Sequence, residues 1–397
     1  MAASRRTLDL YLNVGHALDH LLLLIFPTVV LAIADEWHRP YSELLPLATG
    51  AFFAFGAGSL PSGWLADHWS RPGMIKVFFF GIGTATVLTG FASGPVSLAI
   101  GLTLIGVFAS IYHPVGIAML VSGKKNIGKT LGVNGVYGNV GLAFAALASG
   151  ALADLISWRA AFFVPGAITI LIGCAFLTAA RNAPTTVVAV RKTDAKLPRA
   201  LLVRVFAVLC VAIVANGIIF NAATVAMPKV FDERLKALTD TTLGVGLFVC
   251  ITYLIAAMAQ LAVGHLIDRR PIKGVFVLVL VAQVPLIYAA ATLSNYGMLI
   301  VATAMMFAVF GQIPINDAMV ARYTNEEWRA RAYAVRYVVS FAGSAAAVPL
   351  VAYIFRTTGD FQSLFLLLSG LAAVALVAAL AFPGERASSE AVAPVAR

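Results

Sequence analysis

The chain has 397 residues, of which 60% are hydrophobic and 12% are charged, and its net charge is +10. A soluble domain carries about 25% charged residues, and it cannot bury so large an apolar fraction because its surface has to stay polar. The composition therefore excludes a disordered chain, a disulfide-stapled secreted domain and an ordinary cytosolic enzyme. It is typical of a protein whose solvent is lipid.

Twelve apolar runs follow one another along the chain, each long enough to cross a hydrocarbon core of roughly 30 Å as a helix. They cover residues 10–34, 43–67, 73–93, 96–121, 128–153, 158–180, 201–230, 241–268, 273–293, 295–321, 330–356 and 361–382. The sequence thus predicts an all-α membrane protein with twelve transmembrane helices. The first run lacks a small-residue cleavage site, so we interpret it as a retained helix and not as a signal peptide.

The distribution of Lys and Arg predicts the orientation. With the N-terminus in the cytoplasm, the cytoplasmic segments hold 21 of the 28 basic residues, the outer loops hold 6, and Arg336 lies within a run. Because cytoplasmic loops carry an excess of positive charge, we expect a multi-pass protein of the cytoplasmic (inner) membrane with both termini in the cytoplasm. Topology explains the basic charge, so no nucleic-acid partner is expected.

The chain divides into two similar halves. The gap at 181–200 is a basic, proline-containing cytoplasmic linker, and it separates an N-terminal six-helix bundle (1–180) from a C-terminal one (201–397). Features recur at an offset near 200: Gly63-Trp64-Leu65-Ala66-Asp67 returns as Gly264-His265-Leu266-Ile267-Asp268, and Pro27, Pro114 and Gly141 match Pro228, Pro314 and Gly343. Parallel repeats of this kind place a binding site at mid-membrane between the halves and operate by alternating access.

The Gly-x-Leu-x-Asp segment with its basic turn, present in both halves, resembles the signature loop of the major facilitator superfamily. Two further stretches, Gly15-His16-Ala17-Leu18-Asp19 and Tyr112-His113-Pro114, followed by the glycine-rich segment 128–141, are similar to the fosmidomycin-resistance-type efflux branch. The resemblance implies two six-helix bundles related by a pseudo-two-fold repeat, and a proton-coupled exporter of a small anionic drug that works as a monomer. It assigns a gating role to Asp67, Arg71, Asp268 and Arg269. Ala145-Ala146 replaces the Gly-Pro pair that superfamily antiporters carry in the fifth span, so export and uptake both stay open.

Ionisable side chains inside the first and fourth runs are the main candidates for function, because each costs roughly 2.5–3.5 kcal/mol at the bilayer centre. His16, Asp19 and His20 share one face of the first helix at positions i, i+3 and i+4, and His113 precedes Pro114 in the fourth run. We interpret them as a proton relay or substrate contact, the alternative being a polar cluster that locks helices together. Imidazole and carboxylate also suit a transition metal, so metal-ion transport through His16, Asp19, His20 and His113 is the second hypothesis.

Polar residues in the second half form the remaining candidates. Asp317 and Arg336 lie at similar depth, either as a static salt bridge or as a switch in which Arg336 releases Asp317 to bind a carboxylate, phosphate or phosphonate. Asn221, Gln312 and Asn316 offer neutral hydrogen bonds to a substrate or between helices.

A Walker-type phosphate loop is absent from the sequence. We therefore expect a secondary active transporter of a small, anionic organic solute, driven by protons, with efflux favoured. We expect no enzymatic activity, no catalytic residues and no cofactor. The expected partners are the small-molecule substrate, protons and membrane lipids.

Overall fold

The computed structural model describes residues 5–124, 127–180, 199–323, 343 and 345–382, and within these ranges all regular structure is helical. The helices are α1 (Arg5–Leu23), α2 (Phe26–Trp37), α3 (Tyr41–Leu44), a 3₁₀ turn (Leu45–Ala48), α4 (Thr49–His68), α5 (Arg71–Gly90), α6 (Pro95–Ala109), a π-helical turn (Tyr112–Gly116), α7 (Ile117–Val121), α8 (Ile127–Leu155), α9 (Ala160–Ala180), α10 (Arg199–Arg234), α11 (Thr242–Arg269), α12 (Ile272–Ala290), α13 (Asn295–Tyr323), α14 (Ala345–Thr358) and α15 (Gln362–Leu380).

The prediction of an all-helical, multi-span membrane fold is confirmed. In the described ranges, eleven segments are long and apolar enough to cross a membrane. They correspond to every predicted run except the eleventh, 330–356. That run is described only from residue 345, as the short apolar helix α14, and its first part lies outside the described residues.

Prolines divide several of the predicted runs into shorter helices. The first run is one span but two helices, because Pro27 at the start of α2 has no N–H to donate and its ring would clash with the carbonyl of Leu23, where α1 ends. Pro114 lies inside the π-helical turn that separates α6 from α7. The matching prolines of the second half, Pro228 and Pro314, lie inside the continuous helices α10 and α13. The two halves therefore differ in backbone structure at these matched prolines: the helices are interrupted in the first half and continuous in the second.

The two halves contact each other chiefly through α8 packed against α11, with α2 against α10 and α11. We call the side of the membrane where α1 begins the termini side, and the opposite side the far side. The predicted linker, 181–200, falls almost wholly outside the described residues, so the bundle boundaries at 180 and 201 remain a prediction.

On the far side, α8 and α11 pack backbone against backbone. A Cβ atom on Gly150 would lie 2.4 Å from the Thr242 carbonyl oxygen, and one on Gly246 would lie 2.3 Å from the Ala146 carbonyl oxygen. Asp154, near the end of α8, accepts a hydrogen bond from the backbone N–H of Leu243 at 2.6 Å, at the start of α11. These contacts close the halves against each other on the far side.

On the termini side the same two helices have open space at their glycines. A Cβ atom on Gly132 of α8 or Gly264 of α11 would meet no atom of the described residues within 4 Å. Between the two ends, the Gln260 amide donates a hydrogen bond to Asn139 Oδ1 at 3.3 Å across the halves. The arrangement is therefore closed on the far side and looser on the termini side.

Candidate functional site

The four ionisable residues predicted in the first and fourth spans lie together in the structure. His16, Asp19 and His20 lie on α1, and His113 comes from the π-helical turn. The rings of His16 and His113 are 5.1 Å apart between centroids, and those of His20 and His113 are 5.4 Å apart. We call these four residues the His/Asp cluster. The sequence spacing predicted that His16, Asp19 and His20 share one face of α1, and the structure shows that His113 of the fourth span lies against that face.

The backbone of span 4 brings His113 to α1 through the wider π-helical turn. Pro114 removes one backbone donor there, which loosens the helical hydrogen bonding. Gly116 leaves room inside the turn, because a Cβ atom at that position would lie 2.7 Å from the Tyr112 ring. The Tyr112 ring in turn stacks on His16, with 5.0 Å between centroids and 17° between planes. The turn thus presents two consecutive side chains to α1.

Hydrogen bonds orient His16 within the cluster. Its Nδ1 lies 2.8 Å from the backbone oxygen of Asn134 on α8, and since a carbonyl only accepts, Nδ1 carries the hydrogen. In a neutral ring, Nε2 of His16 is then the acceptor, and Nε2 of His20, 3.2 Å away, donates to it. Gly138 provides the space for the ring, because a Cβ atom there would lie 2.6 Å from His16 Cε1.

Asp19 is the most deeply buried member of the cluster, with 0% of the residue exposed. Its Oδ2 lies 3.4 Å from Nδ1 of His113. Among the described residues, neither carboxylate oxygen accepts a hydrogen bond of good geometry. A buried carboxylate is costly unless it is paired, protonated or bound to a cation, so the surroundings of Asp19 call for a proton or another positive charge.

A series of hydrogen bonds connects the cluster to the termini side. Nδ2 of Asn134 donates to Asn13 Oδ1 at 2.9 Å and to the Tyr112 hydroxyl at 2.8 Å, and that hydroxyl donates to the Leu12 carbonyl at 2.7 Å. Sequence reasoning did not place Tyr112 and Asn134 among the site residues. A buried asparagine in an otherwise apolar run was the available signal for Asn134. No comparable sequence signal marked Tyr112, because tyrosine is common in apolar spans.

A cavity of about 340 Å³ lies at the termini-side end of this series of hydrogen bonds, at Asn13. Its walls come from α1, the end of span 4 and the start of α8, and its lining residues are Asp9, Asn13, Leu120, Lys124, Lys129, Thr130 and Val133. Asp9 forms ion pairs with Lys124 and, at 3.1 Å, with Arg5. The charged residues that line the cavity are two lysines, Lys124 and Lys129, and one aspartate, Asp9, so the lining has a net positive charge.

The candidate residues of the second half form separate local contacts. Nδ2 of Asn221 donates to the Gly217 carbonyl at 2.8 Å, within its own helix. Gln312 donates to Gln283, a buried partner on α12 that sequence reasoning missed. Asn316 is 3% exposed, and its Oδ1 has no hydrogen-bond partner among the described residues. Within the described part of the chain, none of these hydrogen bonds joins the three residues to the His/Asp cluster.

Two predicted residues fall outside what the structure describes. Arg336 lies outside the described residues, and of Asp317 only the backbone, within α13, is described. Their pairing stays a prediction.

The predicted gating residues lie at exposed helix ends. Asp67 at the end of α4 forms an ion pair with Arg71 at the start of α5, at 2.8 Å. Asp268 and Arg269, at the end of α11, are exposed, and Asp268 has no ion pair within the described part of the chain. The repeated segment is therefore paired in the first half only.

A sequence model of the Major Facilitator Superfamily matches residues 15–311 and 209–397. The chain belongs to the major facilitator superfamily. It is accordingly a membrane transporter of the secondary class and not an enzyme. The fosmidomycin-resistance-type branch remains an expectation from the sequence.

Solved structures show the same superfamily fold. A bacterial homologue of the human lysosomal transporter Spinster, in an inward-facing and unoccupied conformation, aligns with a TM-score of 0.72 at 15% identity, covering 99% of this chain and 97% of that chain. Its inward-facing and occupied form aligns at 0.75 and 15% identity, covering 98% and 97%. A POT family transporter in complex with 5-aminolevulinic acid aligns at 0.74 and 12% identity, covering 94% of each chain.

A curated relative is similar over a shorter stretch. The puromycin resistance protein pur8 of Streptomyces alboniger is 34% identical over 134 residues, which cover 32% of this chain and 27% of that protein. The match therefore spans about a quarter of the relative's length.

Proposed function

We propose that this superfamily member exports a small, anionic organic solute in exchange for protons, with the His/Asp cluster as the proton site. The observation that carries the proposal is the fully buried Asp19 carboxylate, which faces His113 at 3.4 Å and accepts no hydrogen bond within the described residues. A carboxylate in this position changes its charge when it gains or loses a proton, and a charge change at mid-membrane is a coupling step that alternating access can use.

An anionic solute is supported by the cavity on the termini side. Lys124 and Lys129 outnumber the single carboxylate of Asp9 in its lining, and Arg5 pairs with that carboxylate at 3.1 Å. A volume of about 340 Å³ is within the range of small-molecule sites. Hydrogen bonds through Asn13 and Asn134 connect this cavity to His16. A solute bound in the cavity is thus placed within reach of the proton site.

Export is supported by the name of the curated relative, which is a resistance protein, and by the branch resemblance of the sequence. The excess of Lys and Arg in the segments on the termini side supports cytoplasmic termini in a cytoplasmic (inner) membrane. With that orientation, the cavity opens to the cytoplasm and the α8–α11 contact closes the outer side. We propose a monomer as the working unit, with each bundle, 1–180 and 201–397, moving as a body about the linker.

Flux in proteoliposomes tests the proposal. A panel of phosphonates, phosphate esters and carboxylates is added to vesicles that hold a pH-sensitive dye, with and without an imposed pH gradient. We expect at least one anion to be transported faster with the gradient and to move protons in the opposite direction. Asp19→Asn is expected to abolish this coupling, whereas the matched control Asp35→Asn, at an exposed position of α2, keeps it. Gradient-driven flux that persists in Asp19→Asn contradicts the proposal.

Transport of a transition metal as cargo is the second candidate function. The observation in its favour is that ligand nitrogens of His16, His20 and His113 all lie within 4.8 Å of one another. Uptake of Zn²⁺ into vesicles that hold a zinc-sensitive dye tests it, and a metal current that requires these residues would replace the anion proposal.

A further inference from the structure

We propose that His16, His20 and His113 bind one borderline divalent transition-metal ion of the Zn²⁺ type, as a resident inhibitory ion and not as cargo. The ligand nitrogens of the three imidazoles lie within 4.8 Å of one another. The inhibitory effect rests on the proposed transport function, whereas the binding of the metal does not.

The distances fit the coordination of such an ion. Zn–N bonds of about 2.0–2.1 Å in tetrahedral geometry place two ligand nitrogens about 3.3 Å apart. Nε2 of His16 and Nε2 of His20 are 3.2 Å apart. The third ligand atom then has to approach by at most about 1.5 Å, which a side-chain rotation supplies. Three imidazoles with a fourth open position form a known type of zinc site.

The polar groups next to two of the imidazoles are of the kind found around metal sites. Metal-ligating histidines donate their other ring N–H to a carbonyl or a carboxylate, which fixes the tautomer and the direction of the ligand atom. His16 does so through Nδ1 to the Asn134 carbonyl at 2.8 Å. His113 has the Asp19 carboxylate 3.4 Å from its Nδ1. Two of the three imidazoles therefore have the outer partners that a metal ligand requires.

The metal ion takes the position of the hydrogen now shared between two imidazoles. In the hydrogen-bonded pair, His20 Nε2 donates to His16 Nε2. When the ion binds both Nε2 atoms, the hydrogen of His20 moves to Nδ1 of the same ring, so no net proton is lost. The divalent ion also supplies positive charge next to Asp19, whose two oxygens accept no hydrogen bond within the described residues.

The origin of the ligands argues for a resident ion. All three come from the N-terminal half, two from α1 and one from the π-helical turn of span 4. Ligands that all belong to one half keep their mutual distances when the halves rearrange, so the site can hold its ion in both states and has no reason to release it as cargo. The bound ion fixes α1 to span 4 and occupies the nitrogens that the proton relay uses.

Metal titration of the purified, tag-free protein tests the proposal directly. The probes are Co²⁺, which reports tetrahedral nitrogen coordination by visible absorption, and Zn²⁺ in isothermal titration calorimetry. We expect one ion per chain, with binding weakened at least 100-fold in His16→Ala, His20→Ala and His113→Ala. The matched control replaces the three other histidines, His38, His68 and His265, which are exposed, and it is expected to bind as the parent does. Each variant is included only if it elutes as the parent does in size-exclusion chromatography.

The outcomes separate this proposal from the proposed function. Absence of binding at micromolar metal, or binding that survives in His16→Ala, overturns the metal site and leaves the pH-driven flux assay unaffected. Binding together with Zn²⁺ inhibition of anion flux, relieved by a chelator, supports a resident inhibitory ion. Accumulation of Zn²⁺ inside vesicles overturns the resident assignment in favour of cargo.

Discussion

Replacing Gly138 with alanine tests whether the orientation of His16 matters for transport. The new Cβ atom would lie 2.6 Å from Cε1 and 2.7 Å from Nε2 of His16, whereas ordinary contacts begin near 3.4 Å. The ring therefore has to move by about 0.8 Å. Moving α1 and α8 apart would also relieve the clash, but it would break the close backbone contact between them one turn further along α8. That contact is so close that a Cβ atom on Gly141 would lie 1.9 Å from the Ala17 carbonyl oxygen.

A displacement of that size breaks the hydrogen bond that orients the ring. The distance from His16 Nδ1 to the Asn134 oxygen is 2.8 Å, and adding about 0.8 Å takes it past the limit for a hydrogen bond. A buried polar group left without its partner costs about 1–3 kcal/mol. Since 1.4 kcal/mol is a factor of about ten, we expect gradient-driven flux to fall about tenfold or more and the melting temperature to drop.

The matched control lies on the same helix. Gly132→Ala adds the same methyl group where it meets no described atom within 4 Å, and replacing a helical glycine with alanine stabilises a helix by about 1 kcal/mol. We expect it to retain flux and to melt at or slightly above the parent's temperature. If Gly138→Ala transports and melts as Gly132→Ala does, the structural role assigned to the Asn134 hydrogen bond is wrong.

Two further substitutions test the network and the far-side closure. Tyr112→Phe removes the hydroxyl that bonds to the Leu12 carbonyl and to Asn134, so the free energy of unfolding should fall by about 1–2 kcal/mol in a thermal melt followed by tryptophan fluorescence; an unchanged melt contradicts it. Asp154→Ala removes the acceptor for the Leu243 N–H, a loss of about 1 kcal/mol for a helix-capping contact, and hydrogen exchange in the first turn of α11 should rise about fivefold. Exchange equal to that of the parent would mean that this bond does not hold the far side closed.

The arrangement of the first span followed from the sequence because helical periodicity decides it. Residues at i and i+4 share a face in any α-helix, and α1 is regular from Arg5 to Leu23, so His16 and His20 had to be neighbours. The apolar runs themselves were predictable for the same reason, since only helices and closed barrels satisfy backbone hydrogen bonds in lipid.

The partners of α1 were not predictable in the same way. The main acceptor for His16 is the backbone oxygen of Asn134, and every residue has such an oxygen, so no side-chain pattern marks it. His113 reaches the cluster through a π-helical turn at Pro114, whereas the matching Pro314 lies in an uninterrupted helix. Equal sequence positions in the two halves therefore lead to different backbones, and the difference depends on tertiary packing such as Gly116 against Tyr112.

Small residues spaced along a transmembrane helix are typical of close helix packing, and the structure gives the glycines of α8 distinct surroundings. Gly141 lets α8 contact the backbone of α1, and Gly138 houses the ring of His16. Gly150 lets the same helix contact the backbone of α11 on the far side. One spacing pattern thus predicts that helices approach closely, but not which helix approaches or whether a functional side chain fills the space.

Helix α8 is the element that can connect the His/Asp cluster to the closure between the halves. It accepts the hydrogen bond of His16 through Asn134 and that of Gln260 through Asn139, and near its end Asp154 accepts a hydrogen bond from α11. These three contacts lie along one helix of 29 residues, which moves as a stiff rod because its backbone is internally hydrogen-bonded. A change in His16 that shifts Asn134 therefore acts on both contacts with the second half. Such a link needs no chain of side chains between the cluster and the far side, because a single rigid helix that both sites bias is sufficient.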